Sequence, residues 1–285
     1  MFIELLDNEI FTAKDLATNN ESLCAVTLHS STEEVDKVSM IASQENGDYD
    51  NIIVKEGGKL IGFIPREQLK THNGNLSSLQ FKKFENYTFD ARENIKSIIE
   101  RIKEDVERSE LPNIYLITDR DYQLGIMTYA DLNRRSVYIY NYIIVLFIEQ
   151  WIKANIARNY MTRNRKISNN WMKSLDSKRK KQLIQWSKEK GESTLSVASI
   201  TDLIQIFTKE PSLSSLRENY REKIPNKTLA DIIFIRPKVM HPTKLLVPKN
   251  DIKNGLKRLM RISKLTDDLI RQEDFNEKNQ SLPTL

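Results

Sequence analysis

The spacing of apolar residues changes character near the middle of the chain. Up to residue 135, short runs of β-branched and aromatic residues alternate with stretches of helical spacing; beyond 136 the helical spacing takes over. The run Asn51-Ile-Ile-Val-Lys-Glu-Gly-Gly-Lys-Leu-Ile-Gly-Phe-Ile64 predicts a hairpin that turns at Gly57 and Gly58. Ser31-Thr32-Glu33-Glu34 predicts the start of a helix with Val35, Val38 and Ile41 on one face, and Pro65-Arg66-Glu67-Gln68-Leu69 a second start. The same order returns about 60 residues later. There Asp90-Ala-Arg-Glu-Asn94 precedes a helix carrying Ile95, Ile98, Ile99 and Ile102, followed by strands at Asn113–Thr118 and Leu124–Met127 around the turn Asp119–Gln123. Thr128-Tyr-Ala-Asp131-Leu132 starts the next helix.

Strand hairpins flanked by helices, twice over, predict an α/β unit. In the second copy Asp131 lies in the first turn of a helix, where a carboxylate can accept hydrogen bonds from two ribose hydroxyls while Thr128 and free backbone N–H groups face a phosphate. An alternative stays open, with Thr128 an N-cap and Asp131 a first-turn acid favoured by the helix dipole. The first copy reads Gly62-Phe-Ile-Pro65-Arg-Glu-Gln68, with proline for the threonine and glutamine for the aspartate. The repeat over residues 10–135, closed by Gly125-Ile-Met-Thr128-x-x-Asp131-Leu132, resembles a tandem pair of cystathionine-β-synthase (CBS) domains. That resemblance implies a regulatory adenine nucleotide (AMP, ADP, ATP or S-adenosylmethionine) at Thr128 and Asp131, and a degenerate site in the first copy.

The second half predicts helices almost throughout. From Val137 to Ile152 apolar residues occupy nearly every face, but Asn141, Glu149 and Gln150 break the run short of the ~20 apolar residues a membrane span needs. A helix apolar on all sides should be buried on several, so a core position with a homodimer seam is expected. Further helices are expected over 182–190 ended by Gly191, around 200–209 and 212–223, over 229–235, and from a cap at Asn250-Asp251 through Ile252, Leu256, Leu259, Ile262, Leu265 and Leu269. Fraying is expected after Glu273. Between Asp131 and Glu149 the chain is either one continuous rod or two helices with a hinge at Asn133–Arg135.

Charge divides at the same place. Residues 1–135 hold 16 Lys and Arg against 24 Asp and Glu, a net of −8, and residues 136–285 hold 28 against 15, a net of +13. The basic half suits a polyanion. Its densest run includes Arg163, Arg165, Lys166, Lys178, Arg179, Lys180 and Lys181, with Trp171 interleaved, and is the candidate surface for an RNA backbone with an aromatic for stacking. A solvated basic loop is the competing reading.

Chemistry concentrates at Ile235-Arg236-Pro237-Lys238-Val239-Met240-His241-Pro242, which holds one of only three histidines. An imidazole that moves protons and a guanidinium that neutralises a phosphorane can together cleave a phosphodiester without metal. Arg-x4-His, with Glu149 among hydrophobic residues of the first long helix, resembles the HEPN superfamily of all-α domains, many of them dimeric metal-independent ribonucleases. The resemblance implies Arg236 as charge stabiliser, His241 as acid and base, and Glu149 as the residue that orients them. The family usually has a polar residue after the arginine; here it is Pro237.

The histidines stand apart, no Cys-x-x-Cys occurs, and Gly57-Gly58 lacks the Lys-Ser/Thr of a phosphate loop, so neither a metal site nor a P-loop is expected. Cys24 is the only cysteine and the N-terminus is acidic, so a reducing, cytoplasmic setting is expected. The expected architecture is an α+β chain: a CBS pair over 1–135, an all-α HEPN-like domain over 136–275 and a flexible tail over 276–285. The expected function is an adenine-nucleotide-regulated, metal-independent endoribonuclease of stress response or defence. Its alternatives are a non-catalytic nucleotide-sensing dimerisation module and RNA binding without cleavage.

Overall fold

The computed structural model describes residues 11–19, 25–27, 51–65, 81–108, 114–163, 167–214 and 226–280, without the side chains of 25–27, 86 and 272–280. The expected helices at 31–41 and 66–69, and most of the one at 212–223, lie outside these residues. The chain divides into two compact units. An α/β unit comprises Asn8–Val137 and Leu245–Leu256; a helical unit comprises Met1–Asp7, Tyr138–Lys244 and Lys257–Leu285.

The described part of the α/β unit begins with a single helical turn, α1 (Ala13–Leu16), and the short strands β1 (Thr18–Asn19) and β2 (Ala25–Thr27). The hairpin β3 (Asn51–Glu56) and β4 (Lys59–Pro65) turns through Gly57 and Gly58, both at positive φ, as the sequence requires. After β5 (Lys82–Lys83) and β6 (Thr88–Asp90) comes α2 (Ile95–Glu107), whose Asn94 cap accepts from the Ser97 N–H. It buries Ile95, Ile98, Ile99 and Ile102 as one stripe. The second hairpin, β7 (Tyr115–Asp119) and β8 (Tyr122–Met127), turns with Arg120 in the left-handed region.

These strands form two sheets of one design, β2-β3-β4-β5 and β6-β7-β8-β1. In each, a parallel pair is followed by an antiparallel hairpin, and the fourth strand comes from outside that repeat. The bulges correspond too: register slips between Val54 and Lys55 and between Ile117 and Thr118, leaving Ile61 and Leu124 as the extra residues. One residue on, Gly62 pairs with Lys83 and Gly125 with Asn19. A Cβ at Gly62 would lie 2.3 Å from the Lys82 carbonyl oxygen, and one at Gly125 2.0 Å from that of Thr18. Both positions are glycine because the added strand passes against them. Between the sheets Ile53, Leu60, Phe63, Phe84, Ile114, Leu116 and Ile126 form one buried cluster, edged by Tyr87.

A five-residue 3-10 turn (Tyr129–Asn133) follows β8, and Arg134 then takes an extended conformation before the next helix. The continuous-rod alternative is therefore replaced by a break at Arg134. Asn133 at the end of that turn uses its amide as a peptide group would, donating to the Val247 carbonyl and accepting from the Val247 N–H, both at 2.9 Å. Thus 245–256 packs with the α/β unit.

The helical elements are α3 (Arg135–Tyr160), α4 (Ser177–Lys190), α5 (Ile200–Lys209), α6 (Asn226–Met240) and α7 (Ile252–Gln280). Asp176 caps α4 and Gly191, at positive φ, ends it; Ser199 and Asp202 form a reciprocal capping box on α5. Boundaries differ from expectation in α4, α6 and α7. The start of α4 is at Ser177 because Asp176 accepts from the Arg179 N–H; α6 continues through Pro237, and the His241 N–H still reaches the Pro237 carbonyl at 3.0 Å. The end of α7 is at Gln280, beyond Glu273. The core includes Ile148, Trp151, Ile152, Trp171, Leu183, Leu203, Phe207, Ile232, Ile235, Leu259, Ile262, Leu265 and Leu269. Of the apolar residues of α3 only Ile139 and Tyr142 are exposed. Burial of α3 therefore does not by itself require a second chain.

Alanine at Gly125 would force β1 off β8. Gly125→Ala and Gly62→Ala should each lower stability by roughly 1–3 kcal/mol or more, since the obstruction is backbone rather than a movable side chain. Urea denaturation followed by circular dichroism measures this, and a change below about 0.5 kcal/mol would show that the strands can part without cost.

Candidate functional sites

Thr128 and Asp131 form a reciprocal cap on the 3-10 turn. Asp131 Oδ2 accepts from the Thr128 N–H at 2.7 Å and from its hydroxyl at 3.0 Å, and Thr128 Oγ1 accepts from the Ala130 N–H. Asp131 Oδ1 accepts from Arg134 Nε at 2.6 Å. The other Arg134 nitrogens donate to the Ala17 carbonyl and the Thr18 hydroxyl, joining the cap to the edge strand β1. The alternative kept open for these residues, a cap with a first-turn acid, is thus the geometry observed. Thr12 and Asp15 repeat it at α1, with the Thr12 N–H donating to Asp15 at 2.8 Å.

A cleft of about 450 Å³ opens elsewhere on the α/β unit, lined by Leu60, Ile61, Phe81, Phe84, Thr88 and Leu116, with Glu56, Lys83, Glu85 and Gln123 among its polar groups. Its size is that of a small-ligand site. Gln123 commits one acceptor and one donor to the chain itself: its amide accepts from the Leu60 N–H at 2.6 Å and donates to the Leu60 carbonyl at 2.8 Å. Thr128 and Asp131 do not line this cleft.

In the helical unit, two of the three candidate catalytic residues meet. Glu149 of α3 and Arg236 of α6 form an ion pair, Oε2 to Nε 3.7 Å. Glu149 Oε1 also accepts from Lys153 Nζ at 2.9 Å. His241 is the first residue beyond α6; it is exposed, and its side chain has no hydrogen-bond partner among the described residues. Lys153 is absent from the candidates read off the sequence, although a lysine four residues after a helical glutamate is the signal for such a pair.

The basic run is less uniform than its sequence. Arg163, Lys178 and Lys181 are exposed, whereas Arg165 and Lys166 lie outside the described residues. Lys180 donates to the Lys173 carbonyl at 3.0 Å. Arg179 is a structural residue, gripping Asp202 through Nε at 2.8 Å and Nη2 at 2.6 Å and lying over Trp186. Trp171 is fully buried and so cannot stack on a base; the exposed aromatic of this region is Trp186.

Among the described residues no group of three or more His, Cys, Asp or Glu could hold a metal ion, and no helix is long and apolar enough to cross a membrane.

No family model matches the chain, and no curated protein does. Solved structures similar to part of it are CBS-domain proteins. One is a hemolysin-like protein containing a CBS domain from Oenococcus oeni PSU, 13% identical, covering 46% of this chain and 92% of that one at a TM-score of 0.34. Another is CBSX2 in complex with AMP, 16% identical, covering 45% of this chain and 98% of that one at a TM-score of 0.35.

Burial alone would raise the carboxyl of Asp202, but the Arg179 guanidinium and the bonds from Ser199 outweigh it and hold the group below the usual carboxylate range. The stabilisation is therefore complete above the unfolded value of about 3.9 and disappears as pH falls through the lower folded value. Arg179→Ala should cost on the order of 3 kcal/mol near neutrality, and the gap to wild type should narrow as acid protonates Asp202. Denaturation across pH measures it; a gap that does not narrow in acid would assign the loss to the Trp186 contact instead.

Proposed function

We propose that this chain is a nucleotide-sensing regulatory protein in which a CBS-type α/β unit binds an adenine nucleotide and a HEPN-like helical unit responds. The observation that carries the reading is the paired design of the α/β unit, two equivalent sheets that exchange edge strands, with a nucleotide-sized cleft beside one exchanged strand, β5. The cleft supplies apolar walls for a base in Leu60, Phe84 and Leu116, and an ammonium in Lys83 that a phosphate would share with Glu85, 3.8 Å away. At the other exchanged strand, β1, the Asp131 carboxylate becomes available to a ribose when it releases Arg134. AMP, ADP, ATP and S-adenosylmethionine are the ligands to try. At 100 times its dissociation constant a bound nucleotide should add ~2.7 kcal/mol of stability. Thermal shifts in wild type, Lys83→Ala and Asp131→Ala then assign the site. No shift with any of the four rejects nucleotide sensing.

A catalytic helical unit is the second reading, favoured by the Glu149–Arg236 pair. In it Arg236 stabilises phosphate charge, His241 moves protons, Glu149 orients the arginine, and a homodimer brings two such sets together. Cleavage of single-stranded RNA should then persist in EDTA and fall by at least about a hundredfold in His241→Ala, the lower end of general acid–base contributions. A wild type inert on RNA with every nucleotide would leave the helical unit as an interaction module.

A further inference from the structure

Two cations share the Glu149 carboxylate unequally. Lys153 Nζ is hydrogen-bonded to Oε1 at 2.9 Å and also donates to the Ser196 carbonyl at 3.3 Å. Arg236 Nε stands 3.7 Å from Oε2, close enough for an ion pair but beyond a hydrogen bond. Glu149 and Lys153 are enclosed, their side chains 13% and 16% exposed, whereas Arg236 is 35% exposed. Among the described residues Arg236 makes no hydrogen bond. The enclosed pair is also laid down by the helix, since glutamate four residues before lysine is the favourable order on α3.

A carboxylate held this far from water needs a cation against it. Were Arg236 its sole partner, engagement of that guanidinium by an outside anion would strand the charge. With Lys153 in place, Arg236 can leave at little cost. We propose that Lys153 is a positioning residue: it neutralises Glu149 and so leaves Arg236 free to bind a backbone phosphate of single-stranded RNA. This rests on the reading of the helical unit as one that engages RNA, and it makes the Arg236 guanidinium, rather than Lys153 itself, the phosphate contact. Without Lys153, Glu149 draws Arg236 into a closer pair and the phosphate must compete for it.

Fluorescence anisotropy with a fluorescein-labelled single-stranded oligoribonucleotide tests this on the full chain. Lys153→Met should weaken binding about tenfold, while Lys153→Arg keeps it near wild type. In an Arg236→Gln background the Lys153→Met change should add less than about twofold, because the residue acts through Arg236. Removing the carboxylate as well, in Glu149→Gln/Lys153→Met, should restore binding in the presence of Arg236 and not in its absence. An equal loss from Lys153→Met in both backgrounds would make Lys153 an ordinary phosphate contact and overturn the inference. If Lys153→Met loses its helical circular dichroism, Lys153→Gln takes its place in the same cycle. Wild type failing to bind, or Arg236→Gln binding as wild type does, rejects the RNA reading at this site and the inference with it. Binding that depends on Arg236 without coupling to Lys153 rejects the inference alone.

Discussion

At two points in the α/β unit, backbone passes so close to backbone that no side chain can stand between. Gly62 meets the carbonyl of Lys82 and Gly125 that of Thr18, at distances a Cβ could not tolerate. β1 and β5 are only two residues long, and each can pair with its neighbour only because the glycine opposite carries no side chain. At β1 the pairing is reinforced by Arg134, which reaches Ala17 and Thr18 from the turn after β8. The fourth position of each sheet, the Arg134 bonds to Ala17 and Thr18, and the cleft beside β5 all depend on the exchanged strands being seated. The bulges at Ile61 and Leu124 precede the two glycines and bend each hairpin where the extra strand must fit.

Where sheet pairing ends, side-chain amides continue it. Gln123 bonds both backbone groups of Leu60, its counterpart in the other repeat, and Asn133 does the same for Val247. Leu60 and Val247 are almost wholly buried, so their N–H and C=O groups need partners, and an amide carries the same donor and acceptor as a peptide. The turn from Thr128 to Arg134 thus has three duties. It closes β8 through the Thr128–Asp131 cap, anchors β1 through Arg134 and holds the Leu245–Leu256 segment through Asn133.

Features set by neighbouring residues were legible in the sequence. The Gly57-Gly58 turn, the isoleucine stripe that follows Asn94 and the stop at Gly191 need only local chemistry, and the structure has each of them. The meeting of Glu149 with Arg236 was legible for another reason: an acid among apolar residues requires a cation, and the arginine motif offered one. Long-range partners were harder to read. Two-residue strands give no periodic signal, so the exchange of β1 and β5 could not be seen, nor the part that Gly62 and Gly125 play in permitting it. Trp171, set among lysines and arginines, looked available for stacking, yet its ring is buried. Arg179 resembled its basic neighbours until Asp202, distant in sequence, proved to hold it. The passage of α6 through Pro237 contradicts the local rule that proline ends a helix, and packing of Ile232, Ile235 and Val239 overrides that rule.

The exchange of strands sets an order on the birth of the protein. β1 leaves the ribosome roughly a hundred residues ahead of its partner in β8, and the first hairpin has no fourth strand until β5 is made. Neither repeat can close its sheet by itself, so a ribosome paused after the first copy would present a three-stranded sheet with an unpaired edge. The last segment of the α/β unit, Leu245–Leu256, is synthesised only after most of the helical unit. At typical elongation rates of about 5–20 residues per second, the nascent α/β unit waits on the order of ten seconds for Val247 to reach Asn133. During that interval the Asn133 amide lacks both of the backbone partners that Val247 later supplies.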